Sequence, residues 1–567
     1  MKKYAFPKKL LKRQLLKTLK RVYRLFSILF LPVLYFLLVG YYVSFLEYGF
    51  NIWDEGGYAY GTLRTLNGQS AFKDFNPNGY LPGRYLYGAL FFKLFGISIQ
   101  SLRLGVAIIT PLMVFLTYAI SRRIMPVGFS LLAALATLSA PSMYYNRFYP
   151  FFCILLAYLT IKIIETKRAL IVFLSLFVCI VTVSFKVEVA LFSALIICMT
   201  VCIMFLQGEW RDEVEKDKLS KDQKSKKIWI LSAVGLAFGG LVVYALQRDL
   251  VWKVVDIVFA THDVWGNAFP NLFPISKVYE EIGLHKIVER LLFYLPILAY
   301  FLSLGILVYR VIKDKGHLDD HGLYVLATLA FGICSFGLVI WRAGFDNLLR
   351  TLPLFYILFC YLTYLAWKSI ASSKLVQNND GGWFFRIIAN VLAVFLPFLF
   401  YYEMNTHHGY YAGSIGARNK EKVHLQMRRI DVYTNQTEAN WLKGTVSRIK
   451  QYSQPGDSIF AIPLNPVFYY LTDRINPTLY DWILPGMLNK EKQLEAVEAL
   501  KANPPKLILY VDIPIDGRED RRFANYAPII FKYITDNYFL SELVGFFQIL
   551  LPKEVRNQLE QLDPLEL

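Results

Sequence analysis

Two adjacent carboxylates, Asp54 and Glu55, lie shortly after the first long apolar run of the chain and precede two glycines. Carboxylates at a membrane boundary are costly unless they are solvated, paired or used in chemistry. A partly buried Asp can accept the proton of a hydroxyl in a transition state, and Gly56 and Gly57 would let a substrate approach the backbone closely. The same pattern is typical of a solvated first helical turn. Spacing alone leaves both interpretations open.

A second group of reactive residue types lies in the same segment. Asp74 and Arg84 precede an amphipathic stretch, Tyr85–Phe95, that is too short and too charged to cross a membrane. Arg84 has donors that suit a phosphate, and the alternative is an interfacial arginine whose charged end reaches water. Further charged residues at the ends of apolar runs are interface anchors, members of ion pairs or, in the case of the cations, phosphate ligands. They are Arg147, Lys186, Arg342, Asp346 and Arg350.

The composition indicates a membrane protein. The chain has 567 residues, of which 55% are hydrophobic and 18% are charged. A soluble chain does not carry so much apolar surface with so little charge. Leu25–Leu46 and Val189–Gly208 contain no charged residue. Each is long enough to cross roughly 30 Å of hydrocarbon as a helix. The predicted fold class is therefore a polytopic α-helical membrane protein.

The net charge of +18 is concentrated at the N-terminus, where residues 1–24 hold ten Lys and Arg and no acidic residue. Basic residues beside a first span are typical of the cytoplasmic side, so the charge does not indicate nucleic-acid binding. The segment is either an interfacial helix on an anionic leaflet or a basic tail that fixes topology. All six cysteines fall in apolar runs and none forms a CxxC, so neither a zinc site nor a disulfide framework is indicated.

Apolar runs and loop charges together predict about eleven transmembrane helices within residues 25–402. The short loops rich in Lys and Arg alternate so that the N-terminus is expected in the cytoplasm. The outer loops are then 47–100 and 247–290, and an odd number of crossings puts the tail outside. The predicted spans lie near residues 25–46, 103–121, 127–141, 148–164, 169–184, 188–207, 228–246, 291–309, 322–341, 351–367 and 387–402.

The tail, residues 403–567, is predicted to be a soluble α/β domain on the outer face. Short buried strands are expected at Ser458–Ile462, Lys506–Ile513 and Phe546–Leu551, with helical patterns between them. No glycine-rich phosphate loop opens a helix in this region, so a nucleotide site is not expected.

Short motifs follow one another along the first outer loop and the tail. The loop and the span after it contain Trp53-Asp54-Glu55-Gly56, Leu66-Asn67-Gly68, Asp74-Phe75, the stretch Tyr80–Leu86, Leu94-Phe95-Gly96 and Leu102-Arg103. The tail contains Pro455-Gly456-Asp457 and Tyr470-Leu471-Thr472-Asp473-Arg474. The loop resembles the first outer loop of GT-C fold glycosyltransferases, in the branch of the protein O-mannosyltransferases and lipid A aminoarabinose transferases. The tail is similar to the C-terminal outer domain of bacterial members.

The resemblance implies a GT-C fold and sugar transfer from a polyprenyl-phosphate carrier to an acceptor hydroxyl, at the outer face of a bacterial or archaeal plasma membrane. Asp54 matches the family's catalytic acid, the proposed general base, and Glu55 stands where many members have a second acid. The implied partners are the lipid-linked sugar and membrane lipids, and a lipid, a glycan or a protein remains open as acceptor. The implied site residues are Arg84, Arg147, Lys186, Arg342 and Arg350 for the donor phosphate, and Tyr58, Asp74, Tyr85 and Asp346 for substrate.

The chain also departs from the family pattern. No acid follows Arg147 closely, and Tyr80–Arg84 replaces the His-Pro-Pro and Lys of the mannosyltransferase branch, so protein O-mannosylation is not implied. Asp54 and Glu55 alone lack the further ligands that a metal site would need, so a divalent metal is not supported. Two other classes stay open, namely a transporter or lipid-linked sugar flippase and a tail that binds ligands on an idle membrane scaffold. Transport would favour mid-span charges and symmetric halves, which the sequence lacks.

Overall fold

The computed structural model describes residues 30–77, 80–138, 148–207, 275–341, 345–372, 415–515 and 518–555, with a few isolated positions between 384 and 399. For 275–292, 338–341, 345–347 and 370–372 it describes the backbone path alone. The basic segment 1–24 lies outside the described residues.

Long apolar helices form most of the first 372 residues. Five of them are long and apolar enough to cross a membrane: Ile99–Ile124, Phe148–Thr166, Val187–Leu206, Phe293–Lys313 and Leu348–Ser369. A helix satisfies its own backbone hydrogen bonds, which is the condition for crossing hydrocarbon. The helices are α1 Phe30–Val43, α2 Asp54–Leu66, α3 Pro82–Phe95, α4 Ile99–Ile124, α5 Val127–Leu138, α6 Phe148–Thr166, α7 Ala169–Val183, α8 Val187–Leu206, α9 Ile275–Lys313, α10 Asp320–Trp341 and α11 Phe345–Ser372.

Nine of the predicted spans coincide with described helices, namely α1 and α4 to α11. The predicted span 228–246 lies outside the described residues, and so does nearly all of 387–402. The number of eleven crossings therefore stays a prediction. Where the two can be compared, apolar runs found the helices because hydrocarbon imposes both their length and their composition.

The first outer loop folds into two helices rather than an extended segment. α2 begins at Asp54 because the side-chain oxygen of Asn51 accepts hydrogen bonds from the amides of Trp53 and Asp54, at 3.1 and 2.9 Å. α3 begins at Pro82, whose missing amide hydrogen costs nothing in a first turn. Asp54 and Glu55 thus stand in the first turn of a helix, which was one of the two interpretations of their spacing.

The described part of the tail is an α/β unit. Its four-stranded sheet has the order β3-β4-β6-β5, with β3 and β4 parallel and the other pairs antiparallel. Strands β3, β4 and β6 fall within or overlap the three predicted strand regions. The elements are α12 Ile415–Lys420, β1 Val423–Met427, β2 Ile430–Thr434, α13 Gln436–Tyr452, β3 Phe460–Ile462, α14 Val467–Thr472, α15 Lys490–Ala502, β4 Ile508–Tyr510, α16 Phe523–Tyr526, α17 Pro528–Asn537, β5 Tyr538–Val544 and β6 Phe547–Pro552.

The tail packs directly on α2 and shares its hydrophobic core. The rings of Tyr60 and Tyr469 stack with centroids 4.9 Å apart, and both residues are buried. Gly56 permits this approach, because a Cβ there would lie 2.6 Å from the Cβ of Val467 on α14. The same holds at Gly57, where a Cβ would lie 2.3 Å from the ring of Trp482. Because Gly56 and Gly57 have no side chains, the tail can pack closely against the first turns of α2.

A buried ion pair fastens the other end of α2 to the tail. Arg64 Nη1 lies 2.8 Å from Asp481 Oδ1, and both side chains are less than a tenth exposed. The Asn476 amide also donates to Asp481 Oδ1, at 2.9 Å. Burial raises the pKa of Asp481, while Arg64 and Asn476 lower it. The carboxylate depends on these two neighbours to stay charged.

Replacing Arg64 by Met leaves Asp481 buried without its cation, so we expect the free energy of unfolding to fall by about 3 kcal/mol. Without Arg64 the pKa of Asp481 rises further. The folded variant then keeps a proton that the unfolded chain has released, so the loss of stability grows as the pH rises above the ordinary range of Asp. Thermal unfolding in detergent between about pH 5 and about pH 8 measures both effects. Arg448→Met, which removes an exposed partner of Glu542, is the control. Equal melting shifts for the two variants would contradict the prediction.

Candidate active site

Asp54 is the half-buried carboxylate at the start of α2. Its Oδ2 accepts a hydrogen bond from the Asn51 amide nitrogen at 3.1 Å. Within the described ranges its Oδ1 accepts none. Asp54 therefore combines a fixed orientation with a free oxygen, which is what a general base needs in order to reach a substrate hydroxyl.

Glu55, its neighbour, is instead fully engaged. Arg103 Nε donates to Glu55 Oε1 at 2.8 Å and Nη2 donates to Oε2 at 2.7 Å, a bidentate ion pair in which both side chains are almost completely buried. The backbone N–H of Asn51 donates a further hydrogen bond to Glu55 Oε2 at 3.0 Å. Arg103 also donates to the carbonyls of Leu46 and Gly49. Glu55 thus joins α2, α4 and the end of the first apolar segment, and its oxygens are occupied.

Arg84, on α3, is a buried cation in an aromatic cage. It is 3% exposed, and its guanidinium carbon lies 3.7, 4.5 and 5.1 Å from the ring centroids of Tyr80, Tyr58 and Tyr85. Such cation–π contacts compensate part of the cost of burial. The Arg84 Nε and Nη1 atoms nevertheless have no hydrogen-bond partner in the described part of the chain.

Other buried donors without a partner surround the start of α2. They include the Tyr58 hydroxyl and the indole nitrogens of Trp53 and Trp482. Burial raises the pKa of Tyr58 well above its usual range, with Arg84 opposing it, so the hydroxyl stays protonated. Buried polar atoms in native structures are almost always paired, and exceptions call for a specific explanation. A ligand rich in acceptor oxygens, such as a phosphate or a sugar, would satisfy this group.

Tyr85 forms a wall of the cage rather than a free ligand. Its hydroxyl donates to the Pro77 carbonyl at 3.2 Å, and its ring packs edge-on against Phe75. Gly61 on α2 makes room for it, since a Cβ there would lie 2.4 Å from the Tyr85 ring. The predicted role of Tyr85 in substrate binding would therefore use contacts of its ring, because its hydroxyl already donates to Pro77.

Asp74 lies at a neighbouring cleft. Its Oδ2 accepts from the Ser70 amide at 2.7 Å, and its carbonyl accepts from Arg64. The cleft has a volume of about 290 Å³ and is bordered by Arg64, Asp74, the stretch 476–480 and Glu495. The structure therefore places Asp74 beside the contact between the first loop and the tail, and not in the cage of Arg84.

Lys186 precedes α8 and pairs with Glu188 at 3.1 Å, with about a third of its side chain exposed. The adjacent turn contacts α3, because the Gly83 amide donates to the Ser184 carbonyl at 2.8 Å. Lys186 is thus near the start of the helix that carries Arg84, but it is already paired.

The remaining predicted ligands lie elsewhere or outside the described residues. Arg350 is a buried residue of α11. Asp346 belongs to α11 by its backbone, and its side chain is outside the described part, as are Arg147 and Arg342 entirely. Their predicted contacts with donor phosphate or substrate stay predictions.

Three functional contacts were missed by sequence reasoning. Arg103 ends the Leu102-Arg103 motif, and a lone arginine at the start of a predicted span, after a loop that contains an acidic pair, is the signal that pairs it with Glu55. Asp481 and Trp482 lie more than 400 residues from α2 in sequence but touch it in space. No local pattern predicts contacts of that separation.

Among the described residues, Asp54 and Glu55 have no further carboxylate, His or Cys beside them that would complete a metal site. Because Glu55 is occupied by Arg103, Asp54 is left as a single acidic ligand where Mg²⁺ or Mn²⁺ takes about six oxygen ligands. In the part of the chain that the structure describes, no group of three or more His, Cys, Asp or Glu is placed to hold a metal ion.

Comparison with known proteins gives structural likenesses only. No family model and no curated protein matches the chain. The structure is similar to ArnT from Cupriavidus metallidurans bound to undecaprenyl phosphate, with 12% identity, a TM-score of 0.45, and coverage of 93% of this chain and 97% of that one. It is also similar to the archaeal oligosaccharyltransferase AglB from Archaeoglobus fulgidus in complex with an inhibitory peptide and a dolichol-phosphate, with 12% identity, a TM-score of 0.48, and coverage of 92% and 74%.

ArnT in the apo state gives 12% identity, a TM-score of 0.48, and coverage of 93% and 98%. ArnT and AglB are GT-C fold glycosyltransferases, the class that the sequence resembles. At these identities and TM-scores, the chemistry assigned to this chain stands on its own residues.

The two carboxylates are expected to respond differently to loss of charge. Glu55→Gln leaves Arg103 buried without its anion, so we expect the free energy of unfolding to fall by about 3 kcal/mol. Asp54→Asn keeps a polar contact with Asn51 and should leave the melting temperature within the error of wild type. Thermal unfolding in detergent compares the variants. The double variant Glu55→Leu/Arg103→Met removes both buried charges. Its free energy of unfolding should therefore be higher than that of Glu55→Gln. A stable Glu55→Gln protein would contradict the structural role of the ion pair.

Proposed function

We propose that the chain is a GT-C glycosyltransferase that moves a sugar from a polyprenyl-phosphate carrier to an acceptor hydroxyl on the outer face of the membrane. The observation that carries the proposal is that two features occur together. Among the described residues, Asp54 has a free carboxylate oxygen, and Arg84 has a buried guanidinium that is incompletely hydrogen-bonded. Tyr58 connects them, because it follows Asp54 by one helical turn and its ring contacts Arg84. A candidate base at the first residue of α2 and a candidate anion site beside its second turn thus lie along the same helix.

In this mechanism Asp54 acts as the general base. It takes the proton from the acceptor hydroxyl while the hydroxyl oxygen bonds to the anomeric carbon from the side opposite the carrier. The bond between that carbon and the phosphate oxygen breaks, and its electron pair leaves with the polyprenyl phosphate, so the configuration inverts. Glu55 does not touch substrate in this scheme, and it positions Asp54 through Arg103.

Arg84 stabilises the negative charge that develops on the departing phosphate. Its unpaired Nε and Nη1 provide the donors, and the low-dielectric surroundings strengthen the interaction. The cavity between Arg84 and Trp482 is only about 10 Å³. Binding of a phosphate there requires that Tyr80 or Trp482 move aside, and the tail would then close over the reacting atoms and exclude water.

The larger cleft beside Asp74 suits the acceptor. It lies between the first loop and the tail, on the same side of α2 as the Arg64–Asp481 pair. We assign residues 403–567 to the outer face and residues 25–402 to the membrane domain, in keeping with the loop charges. The transport alternative is not favoured, because Asp54 and Arg84 gather at one end of the helices instead of lining a path across them.

The first functional prediction concerns the base. Asp54→Asn should reduce sugar transfer by about 10²- to 10⁴-fold while binding of the carrier is retained, because the amide cannot accept the acceptor proton. The measurement is a transfer assay in proteoliposomes, with labelled polyprenyl-phosphate sugars and a membrane extract as acceptor. Asp536→Asn, an exposed carboxylate of α17 paired with Lys532, is the matched control. If Asp54→Asn transfers at the wild-type rate, Asp54 is not the base.

The second functional prediction concerns the carrier. Arg84→Gln should weaken binding of polyprenyl phosphate about 10- to 100-fold, as expected when a charge-assisted hydrogen bond is lost, whereas Arg84→Lys should retain part of the affinity. Binding of the unglycosylated carrier to purified protein measures the effect without requiring the sugar to be known. Unchanged affinity in Arg84→Gln would assign the phosphate to another cation. Label that crosses the bilayer without being consumed, equally in wild type and Asp54→Asn, would replace the transferase by a transporter.

A further inference from the structure

A basic cavity lies at the end of α4 opposite the candidate active site. It has a volume of about 370 Å³ and is enclosed by the ends of α4, α9 and α11 and the beginning of α10. Its lining contains four Lys and Arg side chains and no carboxylate. The polar side chains of the lining are Arg122, Arg123, Arg310, His321, Tyr361, Tyr364 and Lys368.

The cavity and the candidate active site lie at opposite faces of the membrane. Arg103 and Arg123 are twenty residues apart on α4. At 1.5 Å per residue this is about 30 Å, the thickness of the hydrocarbon core. The loop charges assign the Arg123 end to the cytoplasmic side.

Arg310 is held in place by neutral groups. Its Nη2 donates to the Tyr361 hydroxyl at 2.9 Å, and its Nη1 lies 2.9 Å from His321 Nδ1. The other ring nitrogen of His321, Nε2, lies 2.9 Å from the Ile124 carbonyl. A carbonyl can only accept, so Nε2 carries the proton and Nδ1 accepts from Arg310. The guanidinium is therefore oriented without being neutralised by any described carboxylate.

The nearby acids Glu165 and Asp319 offset part of the positive charge of this region, but neither lines the cavity. Glu165 is shared between Arg123, at 2.6 Å, and Lys162, also at 2.6 Å. Asp319 accepts from the Gly322 amide at 2.8 Å, in the first turn of α10. Arg122 and Lys368 are exposed, and no described carboxylate pairs with either. The cavity thus keeps an excess of positive charge. Basic residues that only anchor helices at the membrane surface would be spread along the helices and would not cluster in one cavity.

An apolar stripe leads from this cavity along α5, which begins two residues after Met125. Val127, Leu131 and Leu135 are 47%, 47% and 59% exposed and recur every four residues, so they form one outward face. Phe129 contacts the rings of Tyr364 and Trp367 on α11, at 5.6 and 6.2 Å. Aromatic rings at this level are typical of a membrane–water interface.

We propose that this cavity binds the headgroup of an anionic glycerophospholipid of the cytoplasmic leaflet, with an acyl chain along the α5 stripe. A phosphate diester matches the excess cations in charge, and basic pockets between membrane helices at the cytoplasmic side recognise such headgroups. The continuous apolar face favours a lipid over a free anion. The inference does not depend on the proposed transfer reaction.

The test measures lipid binding to the delipidated full-length protein in detergent. Phosphatidylglycerol should bind and raise the melting temperature, whereas phosphatidylcholine with the same acyl chains should not. Arg122→Gln/Lys368→Gln removes two exposed cations without disturbing the core, and should weaken phosphatidylglycerol about 30-fold, since each basic residue near an anionic surface contributes about fivefold. Arg310→Gln should weaken binding of phosphatidylglycerol as well. The measure for this variant is the rise in melting temperature that the lipid causes, and not the melting temperature without lipid.

Lys313→Gln is the matched control, because it removes an exposed cation from the same end of α9 outside the cavity lining. Its affinity should stay within about twofold of wild type. Equal stabilisation by phosphatidylcholine, or wild-type affinity in the double variant and in Arg310→Gln, would overturn the proposal. Stabilisation by inorganic phosphate equal to that by phosphatidylglycerol would also overturn it, in favour of a site for a free anion.

Discussion

The buried ion pair between Glu55 and Arg103 is the interaction on which the position of α2, and of the structure packed on it, depends. Two charges removed from water are costly, and the cost is offset here because the guanidinium meets both carboxylate oxygens and two backbone carbonyls. Those carbonyls belong to the segment that links the first apolar helix to α2. One arginine on α4 therefore fixes how α2 is rotated about its axis and where the preceding segment lies.

That rotation separates two chemically similar residues. Successive residues on an α-helix lie about 100° apart, so fixing Glu55 toward α4 turns Asp54 away from it. Arg64 and Asp481 then hold the far end of α2 against the tail. With both ends fixed by buried charges, α2 is a rigid platform, and its glycines let aromatic side chains approach closely on either side. The free carboxylate is presented by a helix that has little freedom to move.

The sequence predicted the parts of this arrangement that follow from local composition. Apolar runs located the membrane helices, and three short runs in the tail located strands, because length and hydrophobicity are local properties. Asp54 and Arg84 were selected by residue type and motif. The separation of Asp54 from Glu55 was not predictable, because it depends on Arg103, and neither was the contribution of the tail. Asp481 and Trp482 reach α2 only through the fold of the tail, whose sheet brings distant segments together.

The pattern of satisfied and unsatisfied polar groups explains why the chemistry is expected at one place. A buried donor without a partner costs about 1–3 kcal/mol, so such atoms are rare unless something else maintains them. Near the start of α2, Arg84, Tyr58, Trp53 and Trp482 all keep such atoms, while the ion pairs on either side are fully bonded. The satisfied ion pairs on either side keep these donors from collapsing onto one another, although the cavity beside Arg84 has to widen before a ligand of the size of a phosphate can enter. The same logic makes the cage around Arg84, rather than the already paired Lys186, the place where a phosphate gains most.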